Sequence, residues 1–404
     1  MVKIKEKQGK SEKELLIIEQ QPSTIVSNGL EIRWIRFRVL AQLLRIFNAR
    51  VGNPFATFKA VKGLRKKFKS IQGEKMLVKL ARVDGKYFWK LGSSSFPSEA
   101  SRSMQRREAE SLLFDQPYNG LRTLFIAITK KCTLHCEHCF EWDNLNQPEK
   151  LSDEDLIELV LKYQAYGTTQ IMLSGGEPML RLDSIFKILK KARTGTDFWI
   201  ITSGMGLSEQ NAVSLKAAGL TGVMISLDHY NAEGHNRFRG HEKAFEWAIG
   251  AALNARKAGL AITLSLCASK EFVNPESLRL YMELAKKLGV AFVQILEPRA
   301  SGRYAGQQVA LSEAQIDLLE NLYTEYNNHP DYKDYPIVNY LGYHQRRMGC
   351  FGGGNRFFYI DTDGDAHACP FCTGKVCSAL EFSAEDAVAL LNQGQCHTFE
   401  KSVF

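Results

Sequence analysis

Three cysteines within eight residues, Cys132, Cys136 and Cys139 in "KKCTLHCEHCFEW", are spaced C-x3-C-x2-C. Thiolates this close wrap a small soft centre, and such sets select zinc or iron–sulfur clusters over hard cations. A structural zinc normally closes its shell with four protein ligands. Three thiols without a fourth nearby point to a centre left open for something else. His135 and His138 lie inside the motif, so zinc held by a Cys/His set is the alternative, although zinc ligands usually come as C-x2-4-C pairs repeated at a distance. A second group follows late in the chain: Cys350, Cys369, Cys372, Cys377 and Cys396. The ninth cysteine, Cys267, sits alone in "AITLSLCAS" and reads as a buried strand thiol.

Such thiols need a reducing compartment. "MVKIKEKQGKSEKELL" lacks the apolar core of a secretory signal, which predicts a cytoplasmic chain with its thiols reduced. No run of 18 apolar residues without charge exists, so no spanning helix is expected. The length of 404 residues predicts two or three domains, and a chain 45% hydrophobic and 24% charged is ordinary for a soluble globular protein.

The charge is uneven. Residues 1–110 carry 24 Lys and Arg against 10 acids, while the remainder of this net +8 chain is mildly acidic. That asymmetry favours an anionic partner for the first quarter, such as a membrane surface, a nucleic acid or an acidic peptide, with nucleic acid the least expected. The opening 30 residues are polar and read as poorly ordered. "EIRWIRFRVLAQLLRIFNAR", 31–50, reads as a helix whose apolar residues cover most of its circumference. A second basic helix over 55–71, a hairpin turning at Asp84-Gly85 and a helix near 98–114 follow. These pieces suit a lipid surface, placing the protein peripherally at the inner membrane, or equally a cap with solvated charges.

The elements that must position the thiols begin at residue 124. Short apolar runs at 124–129, 170–174, 198–202, 222–227, 261–267 and 291–296 read as strands buried on both faces. Helical patterns lie between them at 152–166, 181–193, 208–218, 241–258 and 274–288. Ser152 and Ser208 are placed as N-caps, and Gly167, Gly219, Gly259 and Gly289 stand just past helix ends. The fold class expected is α/β, a partial (β/α)6 parallel barrel over 121–305. A basic α+β region (31–120) precedes it. A helical linker (306–349) and a small cysteine-rich β-hairpin/helix domain (350–404) follow.

In parallel α/β folds the chemistry collects after the carboxyl ends of strands. The Cys132 loop follows the first strand. "SGGEP", 174–178, follows the second, "TSG" the third, and "SLD" ends the fourth. C-x3-C-x2-C followed by Gly-Gly-Glu-Pro one unit later resembles the radical S-adenosylmethionine (radical SAM) superfamily over roughly residues 122–300. The resemblance implies that Cys132, Cys136 and Cys139 hold a [4Fe–4S] cluster whose fourth iron binds the amino and carboxylate groups of S-adenosylmethionine. It implies further that Gly175, Gly176 and Glu177 receive the methionine amino group. Ser203 and Ser226 would contact the methionyl or ribose part, and Arg239 the cofactor carboxylate. The activity implied is reductive cleavage of S-adenosylmethionine to a 5′-deoxyadenosyl radical that abstracts hydrogen from a substrate. A reducing partner such as flavodoxin or ferredoxin is then required. No catalytic acid or base is assigned.

Cys350 and Cys369 are spaced C-x13-G-x4-C, and "FFYIDTDGDAHAC" reads as a hairpin turning at Asp363-Gly364. This pattern resembles the auxiliary-cluster extensions of radical enzymes, named twitch and SPASM. Five cysteines rather than seven imply one auxiliary [4Fe–4S] cluster, on Cys350, Cys369, Cys372 and Cys396, with Cys377 in reserve. A zinc ribbon is the alternative. Glu297, Arg299 and Arg303 are placed on the active rim, and Tyr340, Tyr343 and His344 near the second thiol group. Many relatives with such extensions modify peptides or proteins, so a peptide substrate is the first expectation. A lipid or small molecule handled at the membrane is the second. A non-enzymatic iron–sulfur or zinc protein is the third.

Overall fold

The computed structural model describes residues 19–72, 78–114, 121–372 and 374–394. Cys396 and residues 1–18 lie outside them. The N-terminal region comprises β1 (Ile25–Val26), α1 (Gly29–Val51), α2 (Pro54–Gln72), β2 (Leu80–Val83), β3 (Lys86–Phe88) and α3 (Glu99–Phe114). Asp84 and Gly85 both take positive φ and close the β2–β3 hairpin at the expected turn. β1 adds to β2, making a three-stranded antiparallel sheet.

The body alternates as its apolar runs require: β4 (Thr123–Ala127), α4 (Asp153–Tyr166), β5 (Gln170–Ser174), α5 (Leu182–Lys191), β6 (Asp197–Thr202), α6 (Glu209–Ala217) and β7 (Leu220–Ser226). Next come α7 (Ala232–Arg239), α8 (Ala244–Lys257), β8 (Ala261–Cys267), α9 (Pro275–Lys287), β9 (Phe292–Leu296), α10 (Glu313–Asn328), β10 (Ile337–Tyr340) and α11 (Leu341–Met348). The chain ends in β11 (Phe357–Ile360), β12 (Asp365–His367), β13 (Cys377–Ser378) and α12 (Ala384–Gln393). Ser152 and Asp155 form a reciprocal capping box at the start of α4. Ser208 caps α6 through the Asn211 amide.

The main sheet has ten strands in the order β10-β9-β8-β7-β6-β5-β4-β11-β12-β13. Every pairing from β10 to β11 is parallel, and β12 and β13 are antiparallel additions. Residues 306–349, expected as a linker, therefore contribute a barrel strand, since β10 pairs with β9. The hairpin expected as part of a separate small domain is joined to the barrel, because β11 lies beside β4.

Alternation along each strand divides the sheet into two faces. Ile126, Leu173, Ile200, Val223, Leu264 and Val293 face the helices in the main core. Met172, Trp199, Met224 and Phe292 face the other way and pack against Ala81 and Phe88 of the N-terminal hairpin. Phe88 sits edge-on to Trp199 (6.3 Å) and Phe292 (6.4 Å). The hairpin thus plugs the barrel at the strand starts, the end opposite the thiols. The chain before it is tied down as well. The Gln21 amide donates to the Lys287 carbonyl at 2.8 Å and Thr24 Oγ1 to that of Gly289 at 3.1 Å. The opening segment expected as poorly ordered is thus bound from Gln21 onward.

Candidate functional site

The Cys132 loop leaves the carboxyl end of β4 and is held by backbone contacts from three directions. From the β5 side, the Gly176 amide donates to the Thr129 carbonyl and that of Glu177 to the Lys131 carbonyl, each at 2.7 Å. These bonds continue the β4–β5 ladder into the loop. A Cβ at Gly175 would lie 2.5 Å from the Thr129 oxygen, and one at Gly176 2.3 Å from the Lys131 oxygen. Only glycine permits that approach. From α7, the Arg239 and Phe238 carbonyls accept from His135 and Glu137 at 3.1 and 3.0 Å. From the loop after β9, the Arg303 amide donates to the Cys139 carbonyl at 2.9 Å. The Arg303 guanidinium donates to the His135 and Cys136 carbonyls and lies over the Trp142 ring at 4.4 Å. Arg303, placed on the rim as a substrate contact, instead clamps the thiol loop.

Three candidates are engaged by their own neighbours. Glu177 is buried. Its carboxylate accepts from Thr202 Oγ1 (2.7 Å), the Ser203 amide (2.8 Å), Ser203 Oγ (2.5 Å) and the Met179 amide (3.1 Å). Burial raises its pKa, and the donors from Ser203 and Thr202 oppose that. Glu177 and Ser203 therefore lock β5 to β6 beneath the loop. Arg239 is also buried. Its Nε and Nη2 each donate to Asp228 Oδ2 at 2.6 Å, and Nη1 reaches Cys136 Sγ at 3.5 Å. Burial pushes the Asp228 carboxyl up, but Arg239, the nearby imidazoles of His138 and His235 and the Cys267 amide together hold it below its ordinary range. The other oxygen of Asp228 accepts from the Cys267 amide at 2.8 Å. Arg239, expected at a cofactor carboxylate, is engaged by Asp228 and sets a fixed positive charge against the Cys136 thiol.

Ser226 stands differently. It lies at the end of β7 on the face opposite the helices, in register with Ser265 of β8. Ser265 is in register with Gln294 of β9, and Gln294 with Asn339 of β10. Asn339 Nδ2 donates to Gln294 Oε1 at 2.8 Å. One row of polar side chains thus crosses the barrel interior above its apolar floor. Sequence reasoning found only Ser226. The signal for the others was a polar residue at the inward parity of each run, meaningful only once register is known.

The donor set fits a cluster. Burial pushes the Cys132 thiol up to about 11 and Cys139 to about 12, so only a positively charged centre would hold them as thiolates. Cys136 is buried, while Cys132 and Cys139 are partly exposed, leaving one side of the loop open. His138, between them, stacks on Phe238 at 4.9 Å. Burial, then Arg239, lowers its pKa to about 4, so it is neutral.

The second group assembles beside the first. Cys369 and Cys372 bring their sulfurs to 3.2 Å, and the Gly352 amide donates to Cys350 Sγ at 3.3 Å. A Cβ on Gly352 would meet Cys350 Sγ and Cys369 Cβ, both at 3.5 Å. Cys350, Cys369 and Cys372 are therefore neighbours. Cys377 is not with them: it pairs through β13 with Ala366 and is buried in the main core. Phe140, next to Cys139, packs edge-on against Phe371, next to Cys372, with centroids 5.9 Å apart. Lys130 forms a 2.5 Å ion pair with Asp363 in the hairpin turn. Tyr340 and Tyr343 are occupied structurally. The Tyr340 hydroxyl donates to Glu297 at 2.7 Å, and Tyr343 packs on Tyr323 at 4.7 Å. Among the described residues, no three His, Cys, Asp or Glu side chains converge on a single-ion site.

The radical SAM superfamily model matches residues 126–285. Over these residues the barrel is similar to the radical SAM superfamily. The chain also aligns with proteins named AdoMet-dependent heme synthase. That of Methanosarcina barkeri is 32% identical over 190 residues, 46% of this chain and 53% of the relative. That of Oleidesulfovibrio alaskensis is 28% identical over 201 residues, 48% and 51%. The chain spans about half the length of these curated relatives. Among solved structures, the fold is shared with Streptococcus suis SuiB bound to precursor peptide SuiA, at a TM-score of 0.54, 13% identity, and 71% and 69% coverage. It is shared with anSMEcpe bound to AdoMet and the Cp18Cys peptide, at 0.53, 17%, and 69% and 82%. The similarity to the radical SAM superfamily covers the three-thiol loop and the glycines beside it. Among the described residues, no helix is long and apolar enough to cross a membrane.

Proposed function

We propose that this chain is a radical SAM enzyme that abstracts hydrogen from a peptide or protein substrate, with a second iron–sulfur centre beside the first. The observation that carries the reading is the three-thiol loop, fixed by Gly175, Gly176, α7 and Arg303 and open on one side. Cys132, Cys136 and Cys139 would hold a [4Fe–4S] cluster, and Cys350, Cys369 and Cys372 would contribute to an auxiliary one. When bound, the cluster and S-adenosylmethionine supply a carbon-centred radical able to take hydrogen from an unactivated carbon. The chain's own residues orient and enclose. Arg239 and Asp228 fix the charge beside Cys136. The row Ser226, Ser265, Gln294 and Asn339 offers donors and acceptors inside the barrel. Phe88, Trp199 and Phe292 close the floor to water. The packing of Phe140 on Phe371 brings the two thiol groups close enough to act on one substrate.

The peptide reading is supported by the extension beyond the barrel and by the peptides in SuiB and anSMEcpe, which share this fold. A second reading, a tetrapyrrole substrate, is favoured by the 32% identity to the heme synthase of M. barkeri. One experiment tests both. Cluster-loaded protein, dithionite and S-adenosylmethionine are incubated with deuterated candidate peptides or deuterated porphyrins. Deuterium in the released 5′-deoxyadenosine identifies the substrate class. Product from neither class, with cofactor cleavage also absent, would overturn the enzyme reading.

A further inference from the structure

α1 carries two apolar stripes. Ile32, Ile35 and Phe47 are buried on one side. Leu30, Trp34 and Phe37 recur at helical spacing on another and are 76%, 58% and 58% exposed. Trp34 stacks on Phe37 at 5.7 Å. The first turn of α2 adds Phe55 and Phe58, 89% and 66% exposed. Among the described residues, Trp34 is the only large exposed Trp, and three of the four such Phe lie on these two helices, one pair near the start of α1 and the other just past its end.

Cations lie among these aromatics along both helices. Arg33, Arg38, Arg45, Lys59 and Lys62 are exposed on the same helices. Residues 29–72 hold eleven Lys and Arg against one acid, Glu31, which is engaged by Arg82 and Tyr87. Exposed aromatics set among cations match the headgroup layer of an anionic bilayer. A protein-binding core would instead be depleted in charge. A two-fold contact with a second copy would set these cations against their own twins.

We propose that the outer face of α1 and the first turn of α2 seat this protein on an anionic membrane surface. Trp34, Phe37, Phe55 and Phe58 enter the headgroup region, and Arg33, Arg38, Arg45, Lys59 and Lys62 meet the lipid phosphates. The hairpin that plugs the barrel lies in the same N-terminal region, so the enzyme body would be held against the bilayer rather than tethered at a distance. This inference does not depend on the substrate reading.

The test is co-sedimentation of the full chain with phosphatidylglycerol/phosphatidylcholine vesicles and with phosphatidylcholine alone. Binding is expected to the anionic vesicles only and to fall about tenfold when salt rises from 0.1 to 0.5 M, as screening requires. Replacing Trp34, Phe37, Phe55 and Phe58 together by Ser should weaken binding by about a hundredfold, from lost apolar burial. Circular dichroism and iron content should be unchanged, since all four are exposed. Binding to neither vesicle, or equal binding by the Ser variant, overturns the proposal. A dimer that the Ser variant converts to monomer assigns the face to a second copy and overturns it. Tighter binding to single-stranded RNA than to vesicles, lost in the same variant, does so too.

Discussion

The two thiol groups lie side by side yet are built differently. The Cys132 loop is pinned through its backbone by β5, α7 and the segment after β9, with a buried Arg239–Asp228 pair at Cys136. The Cys350 group is joined by the Gly352 amide on Cys350, a Gly353–Ala368 backbone bond and Phe371 packed on Phe140, with two sulfurs 3.2 Å apart. A loop whose shape is set by the barrel holds its geometry before a metal arrives. One whose sulfurs meet across two segments leans more on the metal for that geometry. The difference teaches that the first site is preorganised and the second is completed on assembly.

That contrast can be broken from either side. The largest effect is expected from Cys132→Ala, which should abolish 5′-deoxyadenosine release while the second group keeps its iron. Retained release would show that the first loop is not the reactive centre. Asp228→Asn should come next, because it strands the buried Arg239 charge. A loss of about 3–5 kcal/mol in urea unfolding is expected, and a change below the error of the midpoint would remove the pair from the account. Gly176→Ala forces a methyl onto the Lys131 carbonyl and should cost about 1–3 kcal/mol together with iron at the first site. Cys369→Ala should remove about four of about eight irons and leave cofactor cleavage by the first site intact. The smallest effect on metal is expected from Cys377→Ala. Iron should stay constant with about 1 kcal/mol lost from the core, and loss of iron would place Cys377 among the ligands.

Much of this was legible. Apolar runs such as "QIMLS" and "AITLSLC" became β5 and β8 as read, because strands covered on both faces need no alternation. The thiol loop and Gly175-Gly176 were legible because metal and close-approach chemistry sit in contiguous residues. What stayed hidden depends on contacts between distant segments. The pairing of β11 with β4 has no local signature, and β10 is only four residues behind Pro336. α7 is short and polar, with mean composition dominated by His, Asn and Arg, so its helix was not read between β7 and α8. α1 blurred two stripes into one apolar circumference. The partners of Glu177 and Arg239, here Ser203, Thr202 and Asp228, stayed hidden because they come from distant segments.

The central claim is that the preorganised loop holds an open iron–sulfur centre that binds S-adenosylmethionine. Electron paramagnetic resonance of the dithionite-reduced Cys369→Ala variant, with and without S-adenosylmethionine, tests it most directly. The account predicts a reduced [4Fe–4S] signal that shifts when the cofactor is added and disappears when Cys132→Ala is introduced as well. A signal indifferent to the cofactor, or one that survives loss of Cys132, would contradict it.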